Sequence, residues 1–200
     1  ENFSAPESVF ITGCSAGAYG AAFWTATIAE QYPEATIYQL GDCGAGVATD
    51  EWAATLSSSW NVARTFPATT FDANFVSGTY SETLEMYDLK MAQYNTLFDE
   101  VQIGFYAYGS GQALGPETGL AWSATMQASL EAIGESSDDF FAYTSLTDTN
   151  ADPLDGTQHC IIGQENFYAT NINGRLFRDW LDDYINGREV SSITATLPTP

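Results

Sequence analysis

Gly13-Cys14-Ser15-Ala16-Gly17 is a G-x-S-x-G pentapeptide. This pattern sets a serine on a turn tight enough to lift its hydroxyl clear of the chain. Small residues two positions to either side let a strand and a helix close up around it, and the start of a helix behind it favours developing negative charge. Five residues alone are weak ground, but the setting is specific: the apolar run Ser-Val-Phe-Ile-Thr (residues 8–12) enters the turn and an alanine-rich segment leaves it. The bland alternative is an inert Gly-rich connection. A serine hydroxyl needs a base beside it to attack a carbonyl. The chain has a single histidine, His159, in a loop after the last expected strand. An acid must then orient the imidazole and stabilise its cation. Asp99 and Asp42 each follow an expected strand and stand as alternatives, while Asp148, Asp152 and Asp155 crowd the histidine's own loop.

Other residues invite weaker readings. Asp148-Thr-Asn150-Ala-Asp152 resembles the oxygen-rich start of a calcium loop, but Pro153 stands where an EF-hand needs glycine and its twelfth position holds no Glu. A hydrated turn is therefore expected, and no metal site. Trp52, Trp60 and Tyr80 are candidates for stacking on sugar rings, with core packing as the alternative. Asn2-Phe3-Ser4 is an N-glycosylation sequon. Three cysteines, Cys14, Cys43 and Cys160, allow one disulfide and one free thiol.

The elements that must position these residues follow from pattern. Residues 8–12 read as a short buried strand and 16–32 as a helix, with Pro33 just past its end. Residues 35–40 form a second strand, closed by Gly41-Asp42-Cys43-Gly44. Strand, helix and strand in so short a span make a βαβ unit, hence a parallel sheet with right-handed crossovers. A helix is expected over 49–60 with Thr49 or Asp50 as N-cap, a third strand over 89–94, an amphipathic helix over 116–134 and a fourth strand over 140–146. Residues 64–83 are aromatic and turn-rich and carry no clear period. A polar loop over 147–158 leads to His159; a last helix spans 173–186, and 191–200 reads as a tail or linker. No internal repeat is present. One α/β unit over residues 1–190 is expected.

Composition bounds the setting. Two hundred residues with 44% apolar content suffice for one packed core. With 26 acidic residues against 5 basic ones, the formal charge is −21. Such a surface repels nucleic acid and anionic membranes, and suits solubility in an extracellular or salty medium. No apolar run of about 18 residues suggests a membrane span. The first residues lack the basic start and apolar run of a signal peptide, so an exported protein would already have lost its signal.

Taken together, the Ser15 pentapeptide, Asp42-Cys43-Gly44-Ala45-Gly46, Tyr94-Asn95 with Asp99 and Gln102, His159 with Phe167-Tyr168, and the closing Gly-Arg-Leu-Phe-Arg-Asp-Trp segment resemble the pectin acetylesterase/Notum family. The resemblance covers most of residues 7–190, and the elbow and the Asp-x-x-Gln element are its most specific parts. It implies an α/β-hydrolase fold, a parallel sheet flanked by helices, and the chain order Ser…Asp…His. It assigns the triad to Ser15, Asp99 and His159, leaving Asp42 to a structural turn. It also implies serine-dependent hydrolysis of a carboxylic ester, with acetylated polysaccharide or an acylated protein as substrate types, and no metal or organic cofactor. The oxyanion hole would use the Ala16 N–H plus a donor from an upstream Gly-rich loop.

In that family further strands precede the elbow, and neither they nor the upstream Gly-rich loop is found in this sequence. The resemblance thus implies that residues 1–190 are the C-terminal part of an α/β-hydrolase domain, and an N-terminal fragment of the same protein, or another chain, is expected to complete the sheet. With Cys43 and Cys160 both on the active-site edge in this reading, a Cys43–Cys160 disulfide is expected, suited to a secreted location, with Cys14 as the buried free thiol. Two further function classes remain: a non-enzymatic extracellular assembly protein on a degenerate hydrolase scaffold, and a glycan-binding module using the aromatic residues.

Overall fold

In a computed structural model of the chain, residues 5–61, 64–66, 72–146 and 158–197 are described. Four parallel strands form one sheet in chain order: β1 (Ser8–Cys14), β2 (Thr36–Asp42), β3 (Lys90–Thr96) and β4 (Phe140–Ser145). The crossovers are helical, as parallel neighbours require. α1 (Ala16–Gln31) joins β1 to β2; α2 (Asp50–Trp60) and α3 (Phe75–Met86) join β2 to β3; α4 (Glu100–Ser110) and α5 (Pro116–Ser136) join β3 to β4. A hairpin of β5 (Asn171–Ile172) and β6 (Arg175–Leu176) precedes α6 (Phe177–Ile185). The α/β reading of the sequence is thereby borne out.

Period-2 alternation along the strands sorts side chains to two apolar layers. Ile37, Met91 and Phe140 face one layer, filled by Phe75, Val76 and Tyr80 of α3 and Trp122, Met126 and Ile133 of α5. Tyr38, Leu40, Ala92, Tyr94 and Tyr143 face the other, closed by Phe177, Trp180, Leu181 and Tyr184 of α6. Covered on both faces, β2 and β3 have no exposed side beyond their first residues, and their polar side chains Gln39, Asp42, Gln93 and Asn95 are buried with the rest. No described helix is long and apolar enough to cross a membrane.

Several boundaries differ from the sequence expectations. β1 runs two residues further, because Gly13 and Cys14 pair with Gly41 and Asp42. α3 takes up residues 75–83 of the stretch left without a period and runs on to Met86, and α4 was not foreseen. The last helix begins at Phe177 rather than 173, because Asn173 and Gly174 both take left-handed backbone (φ 54 and φ 84) and close the β5–β6 hairpin. Asn-Gly is a strong hairpin signal that the helical pattern masked. Residues 191–195, expected as tail, lie against β4: Ile193 N–H donates to the Ala142 carbonyl (2.7 Å) and Thr144 N–H to the Ile193 carbonyl (2.8 Å).

Candidate active site

The carboxyl ends of the parallel strands share one edge, where open α/β sheets place their sites. Ser15 sits there between β1 and α1. Its backbone is at φ 58, ψ −122, a left-handed conformation that a residue with a Cβ adopts only under strain. Its N–H donates to the Asp42 carbonyl (2.8 Å) and its own carbonyl accepts from Ala18 N–H (2.9 Å). The steric demand for small residues is uneven. A Cβ at Gly13 would lie 2.2 Å from the Gly17 carbonyl oxygen, whereas a Cβ at Gly17 would meet nothing within 4 Å. At Gly44 a Cβ would fall 2.4 Å from the Ala18 side chain, so the loop after β2 also closes onto the elbow.

Asp99 is the N-cap of α4, its Oδ1 accepting from the Gln102 N–H (3.0 Å). Its Oδ2 accepts from the Gln102 side-chain amide (3.0 Å), while the Gln102 oxygen accepts from Ala45 N–H (2.9 Å). The Asp-x-x-Gln spacing thus ties β3, α4 and the loop after β2 together. His159 Nδ1 lies 2.9 and 2.8 Å from the two Asp99 oxygens. A carboxylate can only accept, so the Nδ1 carries the proton and Nε2 the lone pair. Nε2 is buried and has no hydrogen-bond partner among the described residues. The hydrogen bond to Asp99, with the charges of Asp99 and Asp42, raises the imidazole above its ordinary pKa, against an opposing effect of burial.

Ser15, Ala16 and His159 line a single cavity of about 440 Å³. Its walls are mainly apolar and include Phe23, Trp52, Leu56, Phe66 and Phe105. Tyr19 also lines it, and burial followed by the Asp99 charge pushes its phenol up to about 12, so it is neutral. Trp122, Phe105 and Phe66 were not picked out from sequence, because nothing in their local pattern separates a cavity wall from core packing.

Two expectations need correction. The disulfide joins Cys14 to Cys160, with Cα atoms 5.9 Å apart, and Cys43 is the buried free cysteine. Cys14 is the register partner of Asp42, and Cys160 Sγ lies 3.7 Å from the Asp42 carbonyl oxygen, so Cys160 falls over the end of β1. Burial, with Asp99 and Asp42 nearby, raises the Cys43 thiol well above its usual pKa and keeps it protonated. Tyr80 is fully buried, its hydroxyl donating to the Gln39 side-chain amide oxygen (3.0 Å) and its ring edge-on to Phe140, so it belongs to the core and cannot meet a sugar. Trp52 does line the cavity, packed edge-on against Tyr108. Asn2, the Trp60 side chain and residues 148–155 lie outside the described residues. Cys43, His159 and Cys160 offer atoms within 4.8 Å of one another, but the Cys160 sulfur is held in the disulfide and is no thiolate ligand.

No protein-family model matches the sequence, and no curated protein matches it. Among solved structures the fold is similar to that of the Wnt deacylase Notum from Drosophila, with TM-score 0.57 and 14% sequence identity. The match covers 92% of this chain, and the chain spans 56% of that Notum chain. At this identity the likeness establishes a Notum-like fold.

Proposed function

We propose that the chain carries the catalytic edge of a secreted serine carboxylic-ester hydrolase that removes an acyl group. The observation that carries this reading is the shared cavity: a serine on a strained strand-to-helix turn opens into the same space as a histidine whose other nitrogen is fixed by a buried carboxylate. Ser15 attacks the ester carbonyl, and His159 Nε2 takes the hydroxyl proton and returns it to the leaving alcohol. His159 then activates water to release the acyl group from Ser15. Asp99 holds the imidazole in its tautomer and stabilises the cation. Ala16, first in α1, contributes its N–H to the oxyanion hole, where the helix N-terminus favours the developing charge.

The wall chemistry narrows the substrate. A cavity lined by Phe23, Trp52, Leu56 and Phe105 gains from burying methylenes, about 0.8 kcal/mol for each. An acyl chain longer than acetyl fits it better than an acetylated glycan, in line with the deacylase named for the structural neighbour. The Cys14–Cys160 disulfide suits an oxidising, extracellular compartment.

The test is a fluorophosphonate probe followed by a series of p-nitrophenyl esters. Labelling confined to Ser15, lost in Ser15→Ala, with kcat/KM rising from acetyl to octanoyl, is the expected result. Absence of labelling in a folded parent would instead favour a non-enzymatic scaffold.

A further inference from the structure

Asp42 is a second buried carboxylate at this edge, and the reaction as proposed gives it no proton to move. It is fully buried. The ion pairs that Lys and Arg make among the described residues fall on Asp139, Asp179, Asp182 and Asp183 instead. An isolated buried charge is expensive unless hydrogen bonds meet it. Here both oxygens accept from Ile161 N–H (3.0 Å each), and Oδ2 also accepts from Ile162 N–H (2.8 Å). These are the second and third residues after His159. The backbone carbonyl of the same Asp42 accepts the Ser15 N–H. Its neighbour Cys43 donates an N–H to the Tyr94 carbonyl, which fixes the end of β2 to β3, the strand that leads to Asp99.

Resting on the proposed function, we infer that Asp42 is the positioning residue that sets the nucleophile turn and the histidine loop at a common height. One residue holds the first through its carbonyl and the second through its carboxylate. The carboxylate has a second effect. It adds negative charge near the imidazole, together with Asp99, so it favours the protonated form of His159. The titratable groups facing Asp42 are His159, the Cys43 thiol and the Tyr94 phenol; those facing His159 are Asp99, Asp42 and the Cys43 thiol, which burial keeps protonated. Burial raises Asp42 above the ordinary carboxylate range. Ionisation of Asp42 therefore costs folded stability, and an uncharged side chain of the same shape relieves that cost. A residue there only to complete a turn would be served by Asn, whose amide offers one acceptor to the two N–H donors.

Asp42→Asn tests this with two readouts that do not need catalysis. Because His159 is the only histidine, a single imidazole signal reports its titration in NMR. The variant is expected to titrate at lower pH than the parent, and to lose hydrogen-exchange protection at Ile161 and Ile162 while Leu40 and Ala92 keep theirs. In the esterase assay kcat is expected to fall by about 10- to 100-fold with KM little changed. An unchanged imidazole midpoint, or retained protection at both amides, overturns the inference. A parent that neither labels at Ser15 nor hydrolyses esters overturns the functional reading alone, because the NMR results still decide the role of Asp42. Should Asp42→Asn fail to fold, the parent is acidified instead. Protection at Ile161 and Ile162 must then disappear in step with the Asp42 carboxyl titration, and protection that persists through it overturns the inference.

Discussion

The serine turn and the histidine loop face each other across one cavity but are built in opposite ways. The turn is made of neighbours in sequence: β1 enters, α1 leaves, and the close approach of Gly13 to Gly17 sets its angle. Among the described residues, 158–164 around His159 form no helix or strand before the 3-10 turn at Glu165–Tyr168. Long-range ties hold it: Asp99 at a separation of 60 residues, Asp42 at 119 and Cys14 at 146. Cys14 directly precedes the serine and Cys160 directly follows the histidine, so the disulfide joins the two constructions at their reactive residues. A locally built nucleophile should survive damage that a tethered base does not.

The largest effect is expected from cutting the covalent tie. Cys14→Ala closes no loop in the unfolded chain and should lower stability by about 2–5 kcal/mol, read by chemical denaturation. Ester turnover should fall more than labelling by a reactive fluorophosphonate, because the probe depends less on a well-placed base. Equal losses of both would show that the serine turn relies on the loop after all. Mild reduction of the parent should reproduce the turnover loss and reoxidation restore it.

A local break in the turn comes next. Gly13→Ala places a methyl 2.2 Å from a backbone oxygen that cannot swing aside. It should cost about 1–3 kcal/mol and abolish labelling at Ser15. Gly17→Ala meets open space near the start of α1 and should be neutral or stabilising by up to about 1 kcal/mol. Parallel thermal melts decide the pair. If both alanines are tolerated, the turn is not set by the Gly13–Gly17 approach. A related variant, Ser15→Gly, removes the Cβ from left-handed backbone and should raise stability by about 1–3 kcal/mol while eliminating turnover.

The same contrast explains what could be read from the sequence. The βαβ unit around the turn was legible because strand period, helix composition and glycine spacing all lie within one short stretch. The single histidine was conspicuous by type, yet its geometry was not, since three partners reach its loop from β1, β2 and the start of α4. Asp99 over Asp42 followed from resemblance rather than residue pattern, as both follow strands. The pairing of Cys160 was misread because partner choice depends on parallel register: Cys14 stands beside Asp42 only once Gly13 and Gly41 are aligned. Tyr80 looked available for a ligand because α3, which turns it into the core, carries no clear period in sequence.

The smallest expected effect is a displacement along the pH axis. His159 is raised above 6.5, first by its hydrogen bond to Asp99. A raised folded value means that the His159–Asp99 ion pair contributes its full stability below the unfolded value near 6.5, and loses it as pH rises through the folded one. Activity has the opposite sense, because the neutral imidazole is the base: kcat/KM should climb as pH rises through the folded value, with its acid limb above pH 6.5. In Asp99→Asn the limb should move to lower pH and the plateau should drop, since the amide neither stabilises the cation nor fixes the tautomer. Ser15 should still label with the probe in that variant, more slowly. A limb that stays in place after Asp99→Asn would mean that another group than His159 supplies the base, and the tethered loop would then have no part in setting the pH dependence.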